Sequence, residues 1–179
     1  MTTAAAHTTQ RPDASEYASF YAGYVARVPP GDVVEILRRQ GAEVAALLRP
    51  LPEPESLRLH APYTWSIRQV VGHVMDAERI FTYRLLRVAR GDQTPLPAFD
   101  ENAYADRGGW NERPLAALLQ DHANVRASTL SLLESLPAGA WPLRGTASGH
   151  TVSVRGLAVI VAGHERHHLD IMRARLRGS

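Results

Sequence analysis

Near the C-terminus, Leu157, Val161, His164, His168 and Ile171 recur at the spacing of one stripe along a helix of about 3.6 residues per turn. Two imidazoles thus replace aliphatics on the face that such a helix must bury. A buried imidazole needs hydrogen-bonding partners or a metal ion, since an unpaired polar group inside a core costs a few kcal/mol. The fold must therefore set another element against this face and supply what the two rings lack. The surrounding run, Gly163-His164-Glu165-Arg166-His167-His168, holds three of the eight histidines of the chain within five residues. On a helix, His164 and His168 project from one side and can share one ion.

Three further segments carry helical periodicity. Asp32 is a natural cap for a helix from Val33 to Leu48, whose apolar residues are Val33, Ile36, Leu37, Val44, Leu47 and Leu48. Pro50, Pro52 and Pro54 end it. Ser66-Ile67-Arg68-Gln69 has the S-x-x-Q form of a capping box and opens a second helix reaching about Arg90, where Gly91-Asp92 stops it. Pro114 suits the first turn of a third helix, Leu115 to about Leu136, and Ser153 caps the fourth, which ends near Arg177. The aromatic segment 15–28 is expected to pack on the domain, and residues 1–13 to form a disordered tail. The connection 93–111 is long enough to line a functional site. No segment alternates with the period of a strand. These elements predict one all-α domain, residues 14–177, built as a four-helix bundle with long loops.

Composition narrows the chemistry. Without cysteine the chain of 179 residues has no disulfide, thiolate ligand or cysteine nucleophile, and without lysine it has no Schiff-base or P-loop lysine. A net charge of +2 gives no nucleic-acid footprint. The cluster Arg166, Arg173, Arg175 and Arg177 instead complements the dipole of the terminal helix. No apolar run approaches the roughly 20 residues of a membrane span, and the N-terminus lacks the apolar region of a signal peptide. A soluble cytoplasmic protein is expected.

A third ligand must come from elsewhere, and His73 on the second helix, beside Ala77 and Ile80, is the best candidate. Three neutral imidazoles with open positions suit Zn, Ni, Fe or Mn. His60, His122 and His150 are weaker candidates, and His150 lies in a loop that could reach the site. His164-Glu165-x-x-His168 also matches the H-E-x-x-H zinc-protease signature. That reading lacks its third ligand, because Ile171 and Ala174 stand where a histidine would follow and the 11 residues after His168 contain no Glu. Glu165 then reads as a surface or ligand-supporting residue. The competing interpretation is a helical module whose histidines are satisfied by hydrogen bonds and hold no metal.

Trp65-Ser66-Ile67-Arg68-Gln69, Gly72-His73-Val74-Met75-Asp76-Ala77-Glu78-Arg79, Pro97-Ala98-Phe99-Asp100-Glu101-Asn102 and Ser153-Val154-Arg155 to His168 together resemble the DinB-like family, over about residues 15–176. The resemblance implies a bundle of up-down-down-up type, often a homodimer, with a divalent metal on His73, His164 and His168. It also implies a thiol-dependent S-transferase acting on a small-molecule substrate with a low-molecular-weight thiol such as bacillithiol or mycothiol. Asp76, Glu101, Asn102, Tyr104, His150 and His167 are the candidates for contacts to the ligands or the substrate. A non-enzymatic metal or small-ligand binding protein is the alternative.

Overall fold

The computed structural model describes residues 9–177. Of the expected disordered tail, residues 1–8 lie outside the described residues, whereas Arg11 donates to the carbonyls of Val28 and Val25 at 2.6 and 2.8 Å. In chain order the elements are α1 (Ala22–Arg27), α2 (Val33–Leu48), α3 (Glu53–Leu57), α4 (Ile67–Ala89), α5 (Glu101–Arg107), α6 (Leu115–Glu134), β1 (Arg144–Ala147), β2 (His150–Ser153) and α7 (Val154–Arg177). None of the described helices is long and apolar enough to cross a membrane.

Three of the four long helices begin at the side-chain caps the sequence offers, and α6 begins just after Pro114, which stands at its N-cap without a side-chain cap. Asp32 accepts from the Val34 N–H at 2.8 Å. Ser66 and Gln69 form the reciprocal capping box, with Ser66 Oγ accepting from Gln69 N and Gln69 Oε1 accepting from Ser66 N. Ser153 Oγ accepts from Gly156 N at 2.9 Å at the head of α7. At its other end, α4 gives way to Gly91 at φ 78°, the left-handed residue that closes a helix at little steric cost.

Packing sets α2 and α4 on a diagonal. Each lies against both α6 and α7, so the helices run α2, α6, α4, α7 around the bundle. The successive long helices α2 and α4 are therefore not packed side by side, and the segment 49–66, which contains α3, crosses between them. Leu37, Leu85, Leu157 and Ile160 are fully buried in one part of the core, and Leu48, Met75, Leu118 and Leu169 in another.

Two close approaches lock the periphery onto this frame. A Cβ on Gly72 would stand 2.2 Å from the Trp110 ring, so only glycine lets α4 meet the indole. A Cβ on Gly163 would stand 2.2 Å from the carbonyl oxygen of Tyr24, and one on Gly156 2.7 Å from that of Glu16. Seven residues apart on α7, these two glycines form a notch along which the aromatic N-terminal segment lies, as its apolar content led us to expect.

The expectation that no strand forms is corrected. β1 and β2 pair antiparallel, Arg144 opposite Ser153 and Ala147 opposite His150. Ser148 and Gly149, at φ 52° and 77°, make the two-residue turn. Each strand is four residues long and carries few apolar residues, too short for alternation to register. The hairpin folds over the end of α4, where Gly145 meets Val88.

Candidate metal centre

α4 and α7 share the most extensive helix contact in the molecule, and it is here that the histidines meet. His73 on α4 and His164 on α7 are 7% and 6% exposed. Their Nε2 atoms stand 3.0 Å apart. His168 is one turn further along α7, and its ring centroid is 4.8 Å from that of His73 and 4.6 Å from that of His164. One nitrogen from each ring falls within 4.8 Å of the others.

The donor set fits a divalent ion. Imidazole nitrogens bound at about 2.1 Å stand about 3.0 to 3.4 Å apart for angles between octahedral and tetrahedral, and the His73–His164 pair is already at that separation. Among the described residues, the hydrogen bond within this trio is the single one between His73 and His164. Among the described residues no carbonyl or carboxylate partner reaches the rings, so their remaining nitrogens stay open to an ion. Burial pushes the His73 imidazolium down to about pKa 4, against the partial opposition of Glu101. Burial, and then the neighbouring rings, hold His164 and His168 well below the ordinary range. All three are neutral at physiological pH, the form that ligates metals.

The trio forms part of the wall of a cavity of about 470 Å³. Phe20, Tyr21 and Tyr24 from the N-terminal segment, Trp65 from the entry to α4, and Phe81 and Phe99 give it an aromatic lining. Tyr24 stands edge-on to His164 at 5.4 Å, and Trp65 lies 5.0 Å from His73. Burial raises the pKa values of the Tyr21 and Tyr24 phenols, so both remain protonated donors.

Of the other expected contact residues, Glu101 and Asn102 line the cavity, delivered by α5, whose N-cap Asp100 accepts from Asn102 N and Ala103 N. Tyr104 is 48% exposed and packs its ring on Phe99 at 5.4 Å. His167 stands beside His168 and Tyr24, at 5.0 and 5.4 Å. Asp76 faces outward to Arg79 at 3.2 Å. His150 lies against Phe20 at 5.4 Å, and the loop that was expected to carry it is β2. His60 pairs with Glu55. None of these last three joins the trio.

Of the two readings of Glu165, the structure removes the surface one: the side chain is 1% exposed. Its Oε1 meets His122 Nε2 at 2.7 Å and its Oε2 accepts from Arg126 at 2.7 Å. Arg126 also grips both oxygens of Glu78, at 2.9 and 2.8 Å, and the carbonyl of Leu37. Burial disfavours these charges, but the opposed partners prevail, raising the pKa of Arg126 and lowering that of Glu165. Glu78, His122 and Glu165 also lie close enough for a metal; the guanidinium between the two carboxylates already supplies the cation.

The fragments of sequence quoted above now have physical roles. Arg68 clamps Ser56 Oγ and the carbonyls of Asn111 and Arg113 beneath the capping box. Gly72 receives Trp110 one residue before His73. Arg155 pairs with Glu16 at 2.6 Å, fixing the N-terminal segment to α7. The DinB superfamily model matches residues 36–172.

The chain belongs to the DinB superfamily.

Among solved structures, this DinB-superfamily protein is similar to YfiT from Bacillus subtilis, with a TM-score of 0.75 and 14% identity over 94% of this chain and 93% of that one. That protein is described as a probable metal-dependent hydrolase with an unusual four-helix bundle topology. At such identity the likeness is one of fold. No curated protein matches the chain. What sequence reasoning missed at the site is the aromatic wall, Arg84 and Ser148. Phe20, Tyr21 and Tyr24 were visible as an apolar segment but carried no sign of where they would dock.

Proposed function

We propose that this DinB-superfamily protein is a metal-dependent enzyme in which His73, His164 and His168 hold one divalent ion, of the Zn, Ni, Fe or Mn class, in the wall of the aromatic cavity. The reaction we assign is transfer of a low-molecular-weight thiol, of bacillithiol or mycothiol type, to an electrophilic small molecule. One observation supports the metal assignment: three neutral imidazoles, two buried and one half-buried, converge with no hydrogen-bond partner outside the trio among the described residues. When bound, such an ion supplies Lewis acidity that lets a thiol act as thiolate near neutral pH.

The side chains divide the remaining work. The three histidines use their neutral nitrogens as ligands, and the cavity leaves room for a nucleophile and an acceptor beside them. Glu101, the one acid among the cavity-lining residues, takes the proton released by the incoming thiol. Tyr24, a protonated phenol beside His164, donates a hydrogen bond to charge that develops on the acceptor. Phe20, Phe81 and Phe99 exclude water and favour an apolar body. The chain has no cysteine, so the thiol comes from a second small molecule. The family resemblance adds the expectation of a homodimer, which light scattering checks.

A second reading keeps the same ligands with water as the nucleophile, and the description of Bacillus subtilis YfiT as a probable metal-dependent hydrolase favours it. The decisive experiment measures metal content of the purified protein and of His164→Ala, followed by turnover of chlorodinitrobenzene with a thiol panel and of ester and amide substrates without thiol. Stoichiometric metal in the wild type alone, with thiol-dependent turnover, is the expected result. Hydrolysis without thiol selects the second reading; metal without any turnover leaves a binding protein. A wild type that cannot be loaded removes all three.

A further inference from the structure

We propose that Arg84 anchors a carboxylate on the molecule that enters the cavity, so that the substrate class is an acid with an aromatic or apolar body. The inference rests on the reading of this cavity as a substrate site. Arg84 is 3% exposed and lines the same cavity as the histidine trio. Its Nη2 donates to the Pro97 carbonyl at 2.6 Å and to Ser148 Oγ at 3.0 Å. Its guanidinium lies 5.8 Å over the Phe99 ring, and its charge opposes the rise that burial gives the Tyr21 pKa.

Every one of these partners is neutral. Two other deeply buried arginines face carboxylates, Arg68 with Glu53 and Arg126 with Glu78 and Glu165, and so does the half-buried Arg155 with Glu16. Arg175, also buried, lies outside this cavity and donates to the Trp65 carbonyl beside the Tyr63 ring. Among the described residues Arg84 forms no ion pair, and Glu101, across the same cavity, does not close on it. A buried cation held only by neutral oxygens and an aromatic face lacks its counter-charge. A guanidinium has five N–H donors in a planar fork, and a carboxylate meets two of them at once.

The site is also built. Ser148 reaches Arg84 from a turn in which it adopts φ 52°, a left-handed conformation uncommon outside glycine. Pro97 belongs to the loop that carries Phe99 into the cavity and leads into α5. His73, Ala77, Phe81 and Arg84 line the cavity from one face of α4, and 11 residues at about 1.5 Å rise set the two ends about 16 Å apart along the axis. Both side chains extend into the space between. An acid of ordinary size can then place its carboxylate at Arg84 and its reactive end toward the histidines, with its body among Tyr21, Phe81 and Phe99.

The test uses phenylacetate and 3-phenylpropionate against their primary amides, with binding read by calorimetry and ligand-observed NMR. Wild-type protein is expected to bind the acids at least tenfold more tightly than the amides. In Arg84→Gln that preference disappears while amide binding is unchanged; Arg84→Lys retains part of it, and Ser148→Ala retains it. The comparison is repeated on chelator-stripped wild type, where the preference is expected to persist. Equal binding of acid and amide by the wild type, no binding of either, or a preference that survives Arg84→Gln overturns the inference. So does a preference that vanishes with the metal, which would put the carboxylate on the ion. Should Arg84→Gln fail to fold, the Arg84→Lys comparison decides: full loss or no change there counts against the anchor. Failure of the metal assignment is separate, since a wild type without metal would still show the acid preference.

Discussion

Arg126 Nη2 stands 2.7 Å from Glu165 Oε2, fastening α6 to the residue next to His164. The contact lies wholly out of water, with both side chains at most 4% exposed. Removing one partner of such a pair strands a buried charge and costs about 3 to 5 kcal/mol. Arg126→Met leaves two carboxylates, Glu78 and Glu165, without a cation. Urea unfolding is expected to show a loss of this size. Glu165→Gln keeps a hydrogen-bonding side chain and is expected to lose less stability. Because Glu165 fixes the azimuth of α7, both variants are also expected to bind metal more weakly, which a competitive chelator titration measures.

Gly163 bears the approach of the Tyr24 carbonyl, where a Cβ would come within 2.2 Å of that oxygen. A methyl group there has backbone on both sides, so α1 must move. Gly163→Ala is expected to destabilise the fold by about 1 to 3 kcal/mol, the usual cost of overpacking. Thermal unfolding measures it. Gly23→Ala, where a Cβ meets nothing within 4 Å, is the control and is expected to leave stability unchanged or slightly raised.

The sequence carried the long helices because their signals are local. Asp32, the Ser66–Gln69 box and Ser153 announce their ends, and apolar spacing gives their faces. The convergence of the trio was legible for the same reason: His164 and His168 break an apolar stripe, and His73 stood beside Ala77 and Ile80 on another long helix. The charged network was legible too, but its periodicity was overlooked. Leu118, His122, Arg126, Thr129 and Leu133 are buried along one face of α6, and Glu78 lies one turn from Val74 on α4. Polar residues inside such stripes signal burial as plainly as His164 does. The H-E-x-x-H motif drew Glu165 into a protease argument, and its rejection there concealed its structural role. The aromatic wall and Arg84 depend on how a short N-terminal helix and a two-strand hairpin dock, which no local pattern specifies.

A metal held by the trio couples binding to stability, because the unfolded chain has no such site. At a free concentration about 100 times the Kd, one site stabilises by about 2.7 kcal/mol. Wild-type protein is therefore expected to unfold at higher temperature with added Zn or Ni and at lower temperature after chelation. His164→Ala is expected to show neither shift. An unchanged midpoint in the wild type across Zn, Ni, Fe and Mn would count against the centre.

Acid stability is expected to turn on Glu16 and Arg155. The Glu16 carboxylate is 1% exposed, and although burial alone would raise its pKa, hydrogen bonds from Arg155, Ser153 and the Asp13 backbone bring it down to about 2. A carboxyl that ionises more readily in the folded than in the unfolded chain contributes stability only while it is charged. That contribution is complete above the ordinary value near 4.5 and declines as pH falls toward 2. The wild type is expected to lose stability across this window, with the N-terminal segment loosening from α7. In Arg155→Gln the carboxylate stays buried without its cation. The folded-state pKa then rises, stability at neutral pH falls, and the acid-side slope flattens or reverses. Urea midpoints between pH 7 and pH 3 measure both curves, and parallel curves for the two proteins would remove this pair as the source of the acid dependence.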